Sequence, residues 1–233
     1  MSAIPTPITS SAYPVLEKEN VALGPARESL TFVIEAHLAV ELHWEGHTVP
    51  CIVHTIDHPD GLVLVDTGMI DSTSELDEEW QPVIHPIPDD LAERVAHVVI
   101  THMHFDHHGG NRRFPGIPIH IQRVELEDAR TKDDYTIREW VDFPGMNYVE
   151  HNGEAEILPG VRIVPAPGET LGHQVVVVDT PEGKVVLGGD VGHSFREIGE
   201  ADTPGKRFVI ELGAPVYLAH AWEPRVPRRA TAG

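Results

Sequence analysis

The chain has 233 residues, 41% of them hydrophobic, and a single cysteine, which is enough for one domain with a sizeable core and excludes an intramolecular disulfide. Its formal charge of -20 argues against nucleic-acid partners, which need basic surface. Met1 to Ser11 lacks the basic and apolar segments of a secretory signal, and no apolar run is long enough to span a bilayer, so a cytoplasmic protein without membrane contact is expected.

In chain order, residues 1–30 read as an irregular, proline-containing arm and residues 31–233 as one domain. Phe32, Ile34, Ala36, Leu38, Val40, Leu42 and Trp44 alternate with Glu35, His37, Glu41 and His43, the period of a long strand whose polar face, histidines included, is solvated. A Glu45-Gly46 turn leads to a second strand through Ile52 to Ile56, where Cys51 is most simply a small buried hydrophobe. Pro59-Asp60-Gly61 closes a hairpin onto Leu62 to Val65, and residues 73–94 hold short helices broken at Pro82, Pro86 and Pro88. Val95 to Ile100 is a buried-strand run ending at Thr101. A strand at Ile117 to Ile121, a helix from Arg123 to about Arg130 and a poorly patterned stretch to Glu150 follow; then come strands around Ala155 to Leu158, Val161 to Val164, Val175 to Val178 and Lys184 to Leu187. The carboxylates of Asp71 to Glu79 and Glu125 to Asp134 read as solvated faces. One echo, Gly61 to Gly68 against Gly183 to Asp190, runs each time from a hairpin glycine through an apolar strand to an Asp, and points to two similar halves.

After Thr101 stands His102-Met103-His104-Phe105-Asp106-His107, three imidazoles and a carboxylate within six residues. Packing does not ask for such a cluster, but metal binding does. Imidazole and carboxylate without a nearby thiolate favour zinc, with iron, manganese or cobalt as other options. His102 and His104, two apart in extended chain, project to one side, whereas Asp106 and His107 lie past a turn and can face a second point. Such a loop suits two metals. Gly109-Gly110-Asn111 then turns the chain toward a helix. His173, Asp190 and His220 also stand where an apolar strand meets a loop, and they complete the candidate ligand set. His108 reads as exposed, since adjacent side chains do not easily serve one site. His47, His54, His85, His97, His120 and His151 have no motif context.

In this order the seven positions resemble the H-x-H-x-D-H loop, later glycine-flanked His, bridging Asp and final His of the metallo-β-lactamase superfamily, over roughly Thr31 to Pro224. The segments His58 to Met69, His104 to Asn111, Leu158 to Val161 and Gly172-His173-Gln174 look most like the quorum-quenching N-acyl-homoserine lactonases. The resemblance implies an α+β fold, a four-layer αβ/βα sandwich of two β-sheets flanked by helices, with the metals at one edge. It also implies two divalent cations per chain, one held by His102, His104 and His173, the other by Asp106, His107 and His220, with Asp190 bridging. Asp66 would lie under the metal loop, orienting a ligand imidazole or satisfying loop amides. The implied reaction is hydrolysis of a small-molecule lactone, an N-acyl-homoserine lactone or a relative, by a metal-bridging hydroxide whose proton Asp106 holds or relays.

The chain departs from the lactonase pattern near the ligands. A tyrosine often follows the bridging Asp closely, but here the text is Asp190-Val191-Gly192-His193, and His193 would have to replace it at the substrate carbonyl. The usual G-H-T-P-G-H is Gly168-Glu169-Thr170-Leu171-Gly172-His173, and Ala221 rather than Asp follows His220. Met69 and Phe105, apolar and next to metal-facing loops, are candidate walls for a substrate, or else packing for those loops. Thioester, β-lactam or other ester hydrolysis is the alternative, although only a short tail follows His220 where a glyoxalase II type thioesterase carries a helical region, and no export signal suits a β-lactamase. A non-catalytic metal-binding protein is the rival of another class; seven ligands oppose it, because a closed structural zinc site uses four. A homodimer stays open.

Overall fold

The computed structural model describes residues 32–44 and 46–230, so the N-terminal arm lies outside the described residues. Two β-sheets face each other. The first is built from β1 (Val33–Trp44), β2 (His47–Asp57), β3 (Leu62–Val65), β4 (Val83–Ile84), β5 (Val95–Val99), β6 (Pro118–Gln122) and β7 (Asn147–His151), in the order β4-β1-β2-β3-β5-β6-β7. The second holds β8 (Ala155–Leu158), β9 (Val161–Pro165), β10 (Gln174–Thr180), β11 (Gly183–Leu187) and β12 (Val216–Tyr217), in the order β12-β11-β10-β9-β8. Helices α1 (Ser74–Glu79), α2 (Asp89–Ala92), α3 (Phe105–His108) and α4 (Arg123–Thr131) belong to the first half, α5 (Phe195–Glu200) and α6 (Pro204–Leu212) to the second.

The layering follows from runs of apolar residues that bury both faces of a strand. Val63 and Val65 of β3 meet Ile163, Val176, Val178 and Leu187 of the other sheet in the core between the sheets. Leu62 and Leu64 point the opposite way, into a core closed by Leu76 of α1 and Leu126 of α4. Val175 and Val177 pack likewise on Ile198 of α5 and Val209 of α6. Each side chain so buried contributes about 1.5–3 kcal/mol relative to exposure, and the result is the expected four-layer sandwich.

Strand β1 breaks the expected alternation. Its register against β2 slips between Leu38 and Val40, so Phe32 joins the core between the sheets whereas Val40 and Leu42 join the core on the helix side, and Ala36 is exposed. A bulge inserts one residue and so exchanges the faces beyond it. The polar face is not simply solvated either: His37 Nε2 lies 3.0 Å from Thr55 Oγ1, and His43 Nδ1 lies 3.1 Å from the Gln81 carbonyl.

Two further differences concern helices. The expected helix after Gly110 is a single 3-10 turn at Asn111–Arg113, and the helical turn sits inside the motif as α3. Glu125 is fully buried, so the acidic run that begins there is solvated only beyond it. The internal echo maps onto β3 and β11, each the second strand of an antiparallel hairpin and each with a parallel partner, β5 and β12. Both therefore deliver their Asp to the same edge. Among the described residues no helix is long and apolar enough to cross a membrane.

Candidate metal centre

The seven candidate ligands converge from five segments. His102 and His104 follow β5, Asp106 and His107 ride on α3, His173 precedes β10, and Asp190 and His220 follow β11 and β12. Two glycines let these segments close up. A Cβ on Gly189, whose φ is +50, would stand 2.6 Å from Thr101 Oγ1, and one on Gly172 would stand 2.5 Å from the Glu125 backbone nitrogen.

Asp190 is the common neighbour. Its Oδ2 lies 3.2 Å from His107 Nε2, 3.2 Å from His220 Nε2 and 3.8 Å from His102 Nε2. Asp106 Oδ2 stands 3.6 Å from His107 Nε2. The His102 ring centroid is 4.4, 4.2 and 5.3 Å from those of His104, His107 and His173.

The ring nitrogens facing away from this point are occupied. Nδ1 of His107 is 2.8 Å from Asp66 Oδ2, that of His173 is 3.1 Å from the Ala166 carbonyl, and that of His220 is 2.7 Å from the Pro50 carbonyl. A donating Nδ1–H leaves Nε2 as the lone-pair atom, the form in which imidazole binds metal. Nε2 of His102, His107 and His173 and Oδ1 of Asp190 are buried without a hydrogen-bond partner. Buried polar atoms are nearly always satisfied; four orphans aimed at one place fit cations that would satisfy them. Cys51 lies close to Asp106 and His107, but its thiol donates to the Asp106 carbonyl at 3.2 Å, and burial pushes its pKa well up, so it remains a thiol.

Without metal, the cluster splits its protons. Burial, the largest single influence, would lower His107 and His220, yet the neighbouring anionic groups, Asp190 foremost, together outweigh it, raising His107 well above its ordinary value and His220 to about 9. Burial and neighbouring imidazoles hold His102 well below its ordinary value, and burial takes His104 and His173 down to about 4. Three of the candidate ligands are thus ready to bind a cation and two would first have to release a proton.

Two carboxylates brace the segments that carry the candidate ligands. Asp66, at φ +61, accepts from the Thr101 backbone N at 2.7 Å, from its hydroxyl at 2.8 Å and from His107. A left-handed Asp is tolerated where local hydrogen bonds reward it. Glu125 accepts from the Met103 backbone N at 2.7 Å, from the Tyr135 hydroxyl at 2.6 Å and from the Thr170 hydroxyl at 2.7 Å. Asp66 stands where the resemblance implies, beneath the candidate metal loop and against an imidazole, whereas Glu125, Tyr135 and Thr170 were missed; a Glu opening a helix looks like any solvated residue.

The remaining candidates divide. His193 lies on the open side, its side chain 44% exposed, with Nε2 3.7 Å from Asp190 Oδ2 and Nδ1 3.3 Å from Glu197 Oε2. Phe105 is half-buried, its ring 5.8 Å from that of Trp80. Met69 is 1% exposed within the core of the first half, so it offers no surface to a substrate. His108 is fully buried rather than exposed, with Nε2 2.6 Å from Thr136 Oγ1.

The family model for the metallo-beta-lactamase superfamily matches residues 48–223. The N-acyl homoserine lactonase AiiA of Bacillus thuringiensis subsp. kurstaki is 31% identical over 187 residues, 70% of this chain and 72% of that protein. A mutant B. thuringiensis AiiA with N-decanoyl-L-homoserine bound at its active site superposes with a TM-score of 0.68 at 23% identity, covering 83% of this chain and 94% of the other. AidC, described as a dizinc quorum-quenching lactonase in complex with its product, gives a TM-score of 0.55 at 16% identity over 75% of this chain and 73% of its own.

Proposed function

Because this chain belongs to the metallo-beta-lactamase superfamily, we propose that it is a metal-dependent hydrolase that opens a lactone ring, that of an N-acyl-homoserine lactone or a close relative. The observation that carries this reading is the convergence of orphaned Nε2 atoms and Asp190 Oδ1 at one buried point, in a chain 31% identical to a named lactonase. The donor set favours zinc at two positions, His102, His104 and His173 around one, Asp106, His107 and His220 around the other, with Asp190 between them. Two divalent ions there would polarise the lactone carbonyl and acidify the attacking water.

The chain's own groups supply the rest. Asp106 is placed to take the water's proton and return it to the ring oxygen as the C–O bond breaks, so that the product is the hydroxy acid. His193, on the open side, is placed to donate a hydrogen bond to the carbonyl or leaving oxygen. Cys51, the sole thiol, is buried and engaged, so it is not the nucleophile.

The test is a substrate panel with the zinc-loaded protein: N-hexanoyl-homoserine lactone, an acyl thioester and a β-lactam, followed by acid release or thiol release. Lactone opening with the highest kcat/KM supports the reading. Faster thioester or β-lactam cleavage replaces the substrate, and no hydrolysis at full metal occupancy leaves the non-catalytic rival.

A further inference from the structure

Glu169 is the anomaly of the site. Its side chain is 18% exposed, with Oε1 3.8 Å from His104 Nδ1 and Oε2 3.9 Å from His193 Nε2. No group donates a hydrogen bond to it among the described residues, whereas the more deeply buried Glu125 receives three. Its oxygens are not sealed from solvent, unlike Asp190 Oδ1, so they remain free to accept a donor from whatever enters the site.

We propose that Glu169 is a specificity-determining residue that accepts a hydrogen bond from an N–H of the substrate, and that it selects lactones with an acylamino group beside the scissile carbonyl. This rests on the lactonase reading above. The position suits it: Glu169 flanks one candidate ligand, His104, and the open-side His193, so it borders the place where the carbonyl must sit. An α-nitrogen is two bonds from the carbonyl carbon, within reach of a carboxylate on that border. The same carboxylate disfavours substrates that carry an anion at that end. A site built around a donor–acceptor pair also discriminates more sharply than an apolar pocket, because the analogue lacking the donor leaves the acceptor unpaired.

The experiment compares N-hexanoyl-homoserine lactone with its N-methyl amide, in which a methyl group replaces the N–H hydrogen, on wild type, Glu169→Leu and Glu169→Gln, with metal content measured for each; the added bulk is common to all three enzymes, so a change of preference among them reports the donor. Wild type is expected to prefer the N–H substrate in kcat/KM by about ten- to a hundredfold, the order for a hydrogen bond to a charged group. Glu169→Leu is expected to lose that preference and Glu169→Gln, which keeps one acceptor oxygen, to retain part of it. A preference that survives in Glu169→Leu overturns the proposal, as does an equal fall on both substrates. Should the Leu variant lose metal, the Gln variant decides: a preference equal to wild type's overturns the proposal and a reduced one supports it. Binding separates this from the lactonase reading. If wild type hydrolyses no lactone, calorimetry with the ketone analogue 2-(hexanoylamino)cyclopentanone and its N-methyl form still tests Glu169, and equal affinities overturn it.

Discussion

Glu125 accepts the backbone N–H of Met103 at 2.7 Å, and so grips the metal loop between His102 and His104. Its other oxygen accepts the Thr170 hydroxyl at 2.7 Å, three residues before His173, so one buried carboxylate ties together the segments bearing three ligands. Replacing it with Gln puts a neutral amide where a charged acceptor stood, which weakens the bond from the Met103 N–H and makes the Thr170 hydroxyl turn from donor to acceptor. Partners that orient metal ligands typically change metal affinity or activity ten- to a hundredfold when mutated. Glu125→Gln is therefore expected to weaken metal binding by about that factor in chelator competition, and Tyr135→Phe, which removes one of three donors, to weaken it less. Unchanged affinity in Glu125→Gln would refute the gripping role.

How far the sequence carries depends on how local the signal is. The motif from His102 to His107 and the strand-end positions of Asp66, His173, Asp190 and His220 are legible because their neighbours are apolar runs broken by glycine, a pattern of a few residues. The β1 bulge is not, because both Val40 and Phe32 fit the same alternation and only pairing with β2 shows the slip. Strand β7 is half-buried at the sheet edge, so its residues lack a clear period. Glu125, Tyr135 and Thr170 meet only in three dimensions, as do His97, His120 and His151, which looked unconnected and form a ladder.

Metal content should follow the ligand geometry. We expect two divalent ions per chain by elemental analysis, and Asp190→Ala to lower both, since its Oδ2 stands within 4 Å of ligands assigned to each ion. Loss of only one ion would argue against bridging. Binding must displace protons from His107 and His220, the latter raised to about 9 by Asp190 against the pull of burial. Apparent affinity is therefore expected to rise with pH from 7 toward 9, with proton release visible in weakly buffered indicator solution.

The histidine ladder predicts an acid sensitivity of stability. His97 Nδ1 lies 3.1 Å from His120 Nε2, and His120 Nδ1 lies 2.9 Å from His151 Nε2, across three adjacent parallel strands. Burial first, then His151 and His97, bring His120 down to about 4. Between about 4 and the unfolded value near 6.5 the unfolded chain binds more protons, so this contribution is complete above 6.5 and is lost as pH falls toward 4. The urea midpoint of the metal-loaded protein should fall from pH 7 to 5, with His120 accounting for on the order of 1–2 kcal/mol. His120→Gln should show a shallower fall. Equal slopes would remove the ladder as the source.

His193 carries the last prediction. Its Nε2 is 3.7 Å from Asp190 Oδ2 and 3.9 Å from Glu169 Oε2, and its Nδ1 is 3.3 Å from Glu197 Oε2, so the ring is bracketed by carboxylates while its side chain remains 44% exposed. A histidine that served only the surface would need none of these neighbours; one that meets a substrate gains orientation from all three. An imidazole can donate one hydrogen bond to a carbonyl or leaving oxygen. Its loss in His193→Phe is expected to lower kcat/KM by roughly ten- to a thousandfold, the order for removing an oriented donor or proton carrier. Metal content should stay at the wild-type value if the two ions are held by the seven residues proposed, none of which is His193. His193→Gln, which keeps a donor, should recover part of the rate. Wild-type kinetics in His193→Phe at full occupancy would remove the residue from the reaction, and loss of a metal ion would instead make it a ligand alongside Asp190 and His220, whose ligand atoms lie within 4.8 Å of its own.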